Sequence, residues 1–515
     1  MTQLRSNPLN ALRPKTFLEK LFVFQTKLYT KWFLVIFTGL ILAACVSRYL
    51  QFPSFWLDEA WVSVSLRNPS LPQIYGRLEH GMFFPRLYLT VIAVVRELLG
   101  YQIWSLRLLP TLCFALSTIL WLKLLAKRSG SYLLLILLGG FLLIGSSYWL
   151  EQAIQLKQYT FDVLLSLLPF LVDDTFFKKV FGDGKNKIWL ICLAIPWALS
   201  YTYPFALCAR VSGWYLQNSR LAGWRIRISS IALFVAFITV GLLGIWLTDH
   251  RFNMADQQAY FTYWQHCSLR SLLFVSPLSA LRLIADFLWG WHHGRLMPFV
   301  VAVIAPLQAL GVYWIIQRWK HPQNNAESSD WGSRSLGSLI LLGGVIAASG
   351  ILNYPICSGR LVLFAQVHTQ ILALEGALFL LTFGHKYKAA QIFLYAGIAI
   401  VMFYSSHRYL KFLQEESPEN LRPLLPLINA EEANIVWVHP CSIAQVESLP
   451  EPLPVQKVML KTKKELPEAN QKVWILWTNL SNEDCIRRLA EVQSYAKRWQ
   501  IVHQSQGRGL VLAEF

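Results

Sequence analysis

Long unbroken apolar runs constrain this chain more than any other feature. About 18 or more apolar residues in a row can cross the hydrocarbon of a bilayer as a helix. Such runs fall near 32–50, 105–122, 131–150, 229–248, 297–317, 336–352, 361–383 and 391–405. Shorter or interrupted ones fall at 160–172, 188–203 and 204–216. Lipid offers no water to backbone amides, so a crossing run must pair its amides internally and be helical. The expected fold class is an all-α polytopic membrane protein with about eleven transmembrane helices. Composition agrees: charged residues are 15% of the chain, against roughly 25% in soluble domains. A soluble enzyme and a single-span receptor are both excluded.

The net charge of +18 would suit nucleic acid, but its placement argues for topology instead. Lys and Arg collect before the first span (Arg5, Arg13, Lys15, Lys20, Lys27, Lys31) and at Lys123, Lys127 and Arg128. They recur at 178–187, at 220–227, at Arg318 and Lys320, and at Lys386 and Lys388. Short cytoplasmic loops carry such an excess, so the amino-terminal segment 1–31 is expected in the cytoplasm and the carboxyl terminus outside. No nucleic-acid partner is implied. The stretch Gly81–Leu99 would upset this alternation if it crossed. It carries Arg86, Arg96 and Glu97, and a charge at the bilayer centre costs about 2.5–3.5 kcal/mol on insertion scales. It reads as an outer-face interfacial or re-entrant helix.

That topology makes 32–405 a membrane domain with extracytoplasmic loops at 51–104 and 249–296, and 406–515 an extracytoplasmic tail. The second loop is rich in aromatic rings, which favour the membrane interface. In the tail acids and bases balance, and two strand-like runs, Asn434–His439 and Lys472–Trp477, lie between polar residues. Ser481 with Asp484 resembles a capping box opening a helix, and 500–503 with 510–513 reads as a hairpin. The expectation is a small α/β domain. Cys441 and Cys485 are candidates for a disulfide there.

The chemistry-bearing motif is Phe55-Trp56-Leu57-Asp58-Glu59-Ala60-Trp61, two acids among aromatics just after the first span. Held near the membrane surface, a carboxylate is desolvated, which raises its pKa and suits it to general-base work. The alternative is a solvated polar loop. A second motif, Glu151-Gln152-Ala153-Ile154-Gln155-Leu156-Lys157-Gln158-Tyr159, follows the third span. On one continuous helix Glu151, Gln155 and Gln158 share a face and Lys157 points elsewhere. A lysine and several amides beside an acid pair suit a phosphate-bearing amphiphile; the plainer reading is interfacial side chains reaching for water. His292-His293 have diverging side chains and no third ligand in view, so no metal site is expected.

These motifs resemble the GT-C glycosyltransferases. The resemblance rests on W-x-D-E-A in the first outer loop, F-P-R-L-Y-L in the outer-face helix, S-L-R-L-L-P opening a span and E-x-A-x-x-L-K-Q-Y after the next. It is strongest over Trp32–Pro169 and weak afterwards. The superfamily includes protein O-mannosyltransferases, the aminoarabinose transferase of lipid A and Rgt-type lipopolysaccharide glycosyltransferases. The resemblance implies transfer of a sugar from a polyprenyl-phosphate donor to a lipid, glycan or protein acceptor at the outer face. It makes Asp58 the catalytic acid and Glu59 its partner, and places Lys157 at the family's basic position. Arg86 and Arg360 are further candidates for the donor phosphate, and Trp56, His80, Gln158 and Tyr159 for the substrate pocket. Where many relatives have H-P-P-L-Y, this chain has His80 followed by Gly81-Met82-Phe83-Phe84-Pro85-Arg86, so its pocket differs in detail.

The residue inventory fits that chemistry on its own terms. A glycosidase needs two carboxylates because its leaving alcohol must be protonated. A polyprenyl phosphate leaves as a stable anion, so one base on the acceptor hydroxyl suffices, with fixed positive groups facing the phosphate. The sequence points to no particular cofactor; a divalent cation beside the phosphate is the one addition it leaves room for. A transporter or lipid-sugar flippase is the alternative, but paired halves with midplane charges are not evident in the sequence. A noncatalytic scaffold explains the spans but not the acid pair.

Overall fold

The computed structural model describes residues 17–51, 53–76, 78, 84–129, 132–182, 188–221, 235, 238–239, 241–243, 246, 265–290, 297–321, 326–357, 361–383, 387–414, 420–438, 442–451, 453, 455, 457–460, 471–478, 487, 490, 494, 496–505 and 508–515. The chain is mostly helical. Helix α1 (Phe17–Leu50) is followed by α2 (Leu57–Ser65), α3 (Arg86–Leu99), α4 (Ile103–Ser129), α5 (Leu133–Ile144) and α6 (Tyr159–Leu171). Then come α7 (Ile188–Leu199), α8 (Tyr203–Leu221), α9 (Pro277–Trp289), α10 (Met297–Lys320), α11 (Ala326–Leu352), α12 (Leu363–Phe383) and α13 (Lys388–Gln414). Six described segments are long and apolar enough to cross a membrane: 31–50 in α1, 103–128 in α4, and those in α10, α11, α12 and α13. The broken pair Leu133–Ile144 and Tyr148–Ile154 makes a seventh if it counts as one span.

That is fewer than the eleven expected: two of the runs form helices too short to cross, and α8, long enough at 19 residues, is too polar, with Arg210, Gln217 and Asn218 along it. Helices α6 and α7 have 13 and 12 residues, about 20 Å or less at 1.5 Å per residue, short of a hydrocarbon core of about 30 Å. Each carries a proline near its end, Pro169 and Pro196. The run 229–248 lies largely outside the described residues.

Helix α12 is the centre of the bundle, buried without a break from Leu363 to Leu378. Its polar residues are matched by neighbouring helices. Trp121 Nε1 donates to Gln370 Oε1 (2.9 Å), Gln366 Nε2 donates to the Phe287 carbonyl (3.1 Å), and Ser338 Oγ lies 3.0 Å from His368 Nδ1. Interhelical hydrogen bonds of this kind, with small residues at contact points, hold membrane helices together where lipid gives no hydrophobic drive. Helices α10 and α12 touch backbone to backbone at Gly311 and Gly376. A Cβ on Gly311 would run into the Leu372 carbonyl, and one on Gly376 into the Leu307 carbonyl.

Charged side chains gather at one end of this bundle. Glu375 of α12 accepts two bonds from Arg128 of α4 (2.8 and 2.5 Å), one from Arg318 of α10 (3.2 Å) and one from Ser335 of α11 (2.6 Å). Beside it Asp173, Asp174 and Asp330 pair with Lys127, Arg210 and Arg334. The Lys127 ammonium beside Asp173 holds its carboxyl below the usual range, with Arg334 adding to the effect. The basic residues Lys127, Arg128 and Arg318, expected on one side of the membrane, thus share one end. The opposite end has a disulfide between Cys267 and Cys357, 90 residues apart. The expected Cys441–Cys485 pair lies outside the described residues.

The tail forms a five-stranded sheet in the order β2-β1-β3-β5-β4, from β1 (Ile435–Val438), β2 (Lys457–Leu460), β3 (Lys472–Trp477), β4 (Arg498–Ser505) and β5 (Arg508–Glu514). Strand β1 runs parallel to β2 and β3, while β5 is antiparallel to β3 and β4. Both expected strands and the hairpin are present. Both faces are covered: Trp474 and Leu476 pack with Leu421 and Leu424, and Val473 and Trp477 with Trp437 and Phe515. A short helix, α14 (Ile443–Glu447), follows β1. The helix expected after Ser481 lies outside the described residues, apart from single helical positions such as Arg487.

Candidate active site

The acid pair sits in the first turn of α2, where the helix amino terminus favours negative charge. Its two members have different surroundings. Glu59 is fully buried, at 0% exposure. Its Oε1 accepts from Arg107 Nε (2.9 Å) and the Leu156 amide (2.5 Å), and its Oε2 from Arg107 Nη2 (2.5 Å) and the Trp56 amide (3.2 Å). A carboxylate with four donors around it is a fixture of the loop. Glu59, expected beside Asp58 as a second catalytic group, therefore has a positioning geometry. Asp58 is only partly buried.

Arg107, the arginine of the S-L-R-L-L-P motif, completes this fixture, a role the motif alone does not assign. The sequence shows an arginine in the first turn of an apolar span (Ser105-Leu106-Arg107-Leu108-Leu109-Pro110), which is itself the signal: a charge placed there must be paired. Beyond Glu59, Arg107 donates to the carbonyls of Pro53 (2.5 Å) and Ser54 (3.2 Å) and lies 5.0 Å from the Phe55 ring centroid. Removing one partner of such a buried pair costs roughly 3–5 kcal/mol.

The Leu156 amide brings in the second motif. Residues 151–159 do not form one helix, as the spacing suggested. A helical turn, Ser147–Glu151, becomes a 3-10 turn at Gln152–Ile154, Gln155 is extended, and α6 starts afresh at Tyr159. The break places the Leu156 amide on Glu59 and sends Lys157 inward, where it is 3% exposed. Its ammonium lies 4.7 Å from the centroid of the Phe84 ring, a cation–π contact. Its carbonyl accepts from the Tyr88 hydroxyl (3.2 Å), and burial pushes that phenol's pKa well above its ordinary value. Phe84 and Tyr88 flank Arg86, which is 1% exposed at the start of α3.

The structure thus brings Asp58, Glu59, Arg86 and Lys157 to one end of the bundle, with Trp56 at the head of α2. Gln158 and Tyr159 open α6; Tyr159 is buried in the main core, and the carboxamide oxygen of Gln158 is buried with no protein hydrogen bond among the described residues. His80, Arg360, His292 and His293 lie outside the described residues. Among the described residues no three His, Cys, Asp or Glu side chains gather as metal ligands.

Fold and site together define a polytopic helical membrane protein whose loops build an acid-and-cation site at one end of the bundle. No protein-family model matches the chain, and no curated protein matches it. Solved structures similar over most of its length include two of ArnT from Cupriavidus metallidurans. In the apo state that protein aligns with 94% of this chain and 98% of its own, at 12% identity and a TM-score of 0.49. Bound to undecaprenyl phosphate it aligns over the same shares at 12% identity and a TM-score of 0.47.

Proposed function

We propose that this chain is a GT-C type glycosyltransferase. It moves a sugar from a polyprenyl-phosphate donor to a lipid, glycan or protein acceptor on the extracytoplasmic face, with Asp58 as general base. The observation that carries the reading is convergence. Four motifs spread over a hundred residues meet through side-chain contacts: Glu59 with Arg107, Glu59 with the Leu156 amide, Tyr88 with the Lys157 carbonyl, and Lys157 with Phe84.

In this reading Asp58 takes the proton from an acceptor hydroxyl as its oxygen attacks the anomeric carbon. The bond to the phosphate oxygen breaks and the polyprenyl phosphate leaves as an anion. Lys157 and Arg86 face the charge that grows on it, and being held out of bulk water strengthens such electrostatic contacts. Arg360 is assigned to the same phosphate on sequence grounds. The Cys267–Cys357 disulfide supports an extracytoplasmic position for this end, because disulfides persist in oxidising compartments.

The test is transfer from a synthetic polyprenyl-phosphate sugar to envelope acceptors by purified protein in nanodiscs. Asp58→Asn keeps size and hydrogen bonding but removes the base, and should cost about 10²–10⁴-fold in rate at unchanged protein level. Full transfer by this variant would remove Asp58 from the reaction.

A further inference from the structure

We propose that Gln445, in the carboxyl-terminal tail, positions the helix that carries Asp58, which makes the sheet domain part of the catalytic apparatus. The proposal rests on the reading of Asp58 as the base. Helix α14 lies against α2, and Ala444 belongs to the same apolar cluster as Phe55, Ala60 and Leu156. Gln445 is fully buried, and its Nε2 donates to the Phe55 carbonyl (3.2 Å), three residues before Asp58. Its Oε1 accepts from the Thr478 hydroxyl at the end of β3. The Thr478 hydroxyl lies 3.0 Å from that of Ser442, which also accepts from the Thr478 amide (2.8 Å).

The chemistry singles out an amide. A carbonyl can only accept, so the group facing Phe55 must donate, while the same side chain accepts a hydroxyl proton on its oxygen; among side chains of this length only glutamine does both without having to take up a proton. One residue earlier, the Ser54 amide donates to Asn420 Oδ1 (2.8 Å) and the Ser54 hydroxyl accepts from the Leu421 amide (2.6 Å). Arg107 holds the Pro53 and Ser54 carbonyls from the membrane side. The launch of α2 is therefore gripped from two directions, by a membrane helix and by the sheet domain.

The test compares Gln445→Met, which keeps the shape but loses both polar ends, with wild type in the full chain in nanodiscs. Losing a buried hydrogen bond should raise amide exchange over 55–65 about tenfold, with α12 unchanged. Tilting the base should lower kcat about tenfold while the KM for donor stays put. Thr478→Val should reproduce both effects, Thr478→Ser should match wild type, and the double variant should be no worse than either single. Unchanged exchange over 55–65, faster exchange with unchanged kcat, or protection lost across tail and bundle together would each overturn the proposal. Asp58→Asn runs in parallel. If it is inactive while Gln445→Met turns over normally, positioning by Gln445 fails alone; if it is active, the base assignment fails, and the exchange arm still reads the grip on α2.

Discussion

The two ends of the bundle use charge in opposite ways. At the Glu375 end, side chains bond mostly to side chains: Arg128, Arg318 and Ser335 reach Glu375 from three different helices, and Arg210 and Arg334 meet acids across from their own helix, sharing the Val172 carbonyl besides. At the Glu59 end, charged groups bond largely to backbone. Arg107 holds two carbonyls and Glu59 two amides. The first arrangement staples regular helices that already have their shape. The second gives shape to irregular loops, which have no ladder of their own to satisfy them. A fold does this where loops must enclose something.

The largest effects should come from cutting one salt bridge at each end. Glu59→Gln and Glu375→Gln each leave buried arginine without its counter-charge, a loss of roughly 3–5 kcal/mol, read as a drop in the midpoint of thermal unfolding in detergent. They should part company in transfer per folded molecule: Glu59→Gln falls because the loop under Asp58 loosens, and Glu375→Gln stays near wild type. Equal specific activities would break the comparison.

Next come the cations. If Lys157 faces the leaving phosphate as proposed, Lys157→Gln removes that positive group, and one lost donor costs about 10²–10³-fold in kcat. Lys157→Arg should fall between, since a planar fork is no replacement for a point charge in a shaped pocket. Equal rates for all three would mean that Lys157 only packs on Phe84. Removing the Cys267–Cys357 bridge by a Cys357→Ser change should lower stability by about 2–4 kcal/mol and leave Cys267 open to a membrane-impermeant thiol reagent in intact cells. Labelling only after lysis would put this end in the cytoplasm and reverse the topology.

The smallest effect belongs to Asp173, whose side chain is 60% exposed. Its pKa is lowered in the fold, so its contribution is present above the ordinary carboxylate pKa and lost as pH falls through the folded value. An exposed pair contributes about 0–1 kcal/mol, so Asp173→Asn should lower stability by no more than that at neutral pH and converge on wild type in acid, which flattens the acid limb slightly. A large loss at neutral pH would mean that this pair, like Glu375, is structural.

Much of this was legible in the chain because it is local. Apolar runs mark α1, α4 and α10–α13, a short apolar run between polar residues marks β3, and the W-x-D-E-A and K-Q-Y motifs mark positions that do come together. What escaped reading is non-local. Arg107 takes its meaning from Glu59, 48 residues earlier, and Cys267 from Cys357, 90 residues later. Helix α14 is five residues long, too short to leave a periodic pattern, yet it carries the glutamine bonded to the Phe55 carbonyl. The amide pattern after the third span has the spacing of a continuous helix, and periodicity does not report the break at Gln155.

The backbone contact at Gly311 and Gly376 bears on how such a chain can diverge. Lipid asks only that outward side chains be apolar, so most of the bundle's surface is free to exchange leucine for valine or phenylalanine without penalty. The crossing of α10 and α12 is fixed instead at a point where any side chain would wedge the helices apart. A scaffold specified by a few points of zero size and filled elsewhere with interchangeable apolar residues can keep its architecture while its sequence drifts beyond recognition, leaving the loops at its ends free to be refitted.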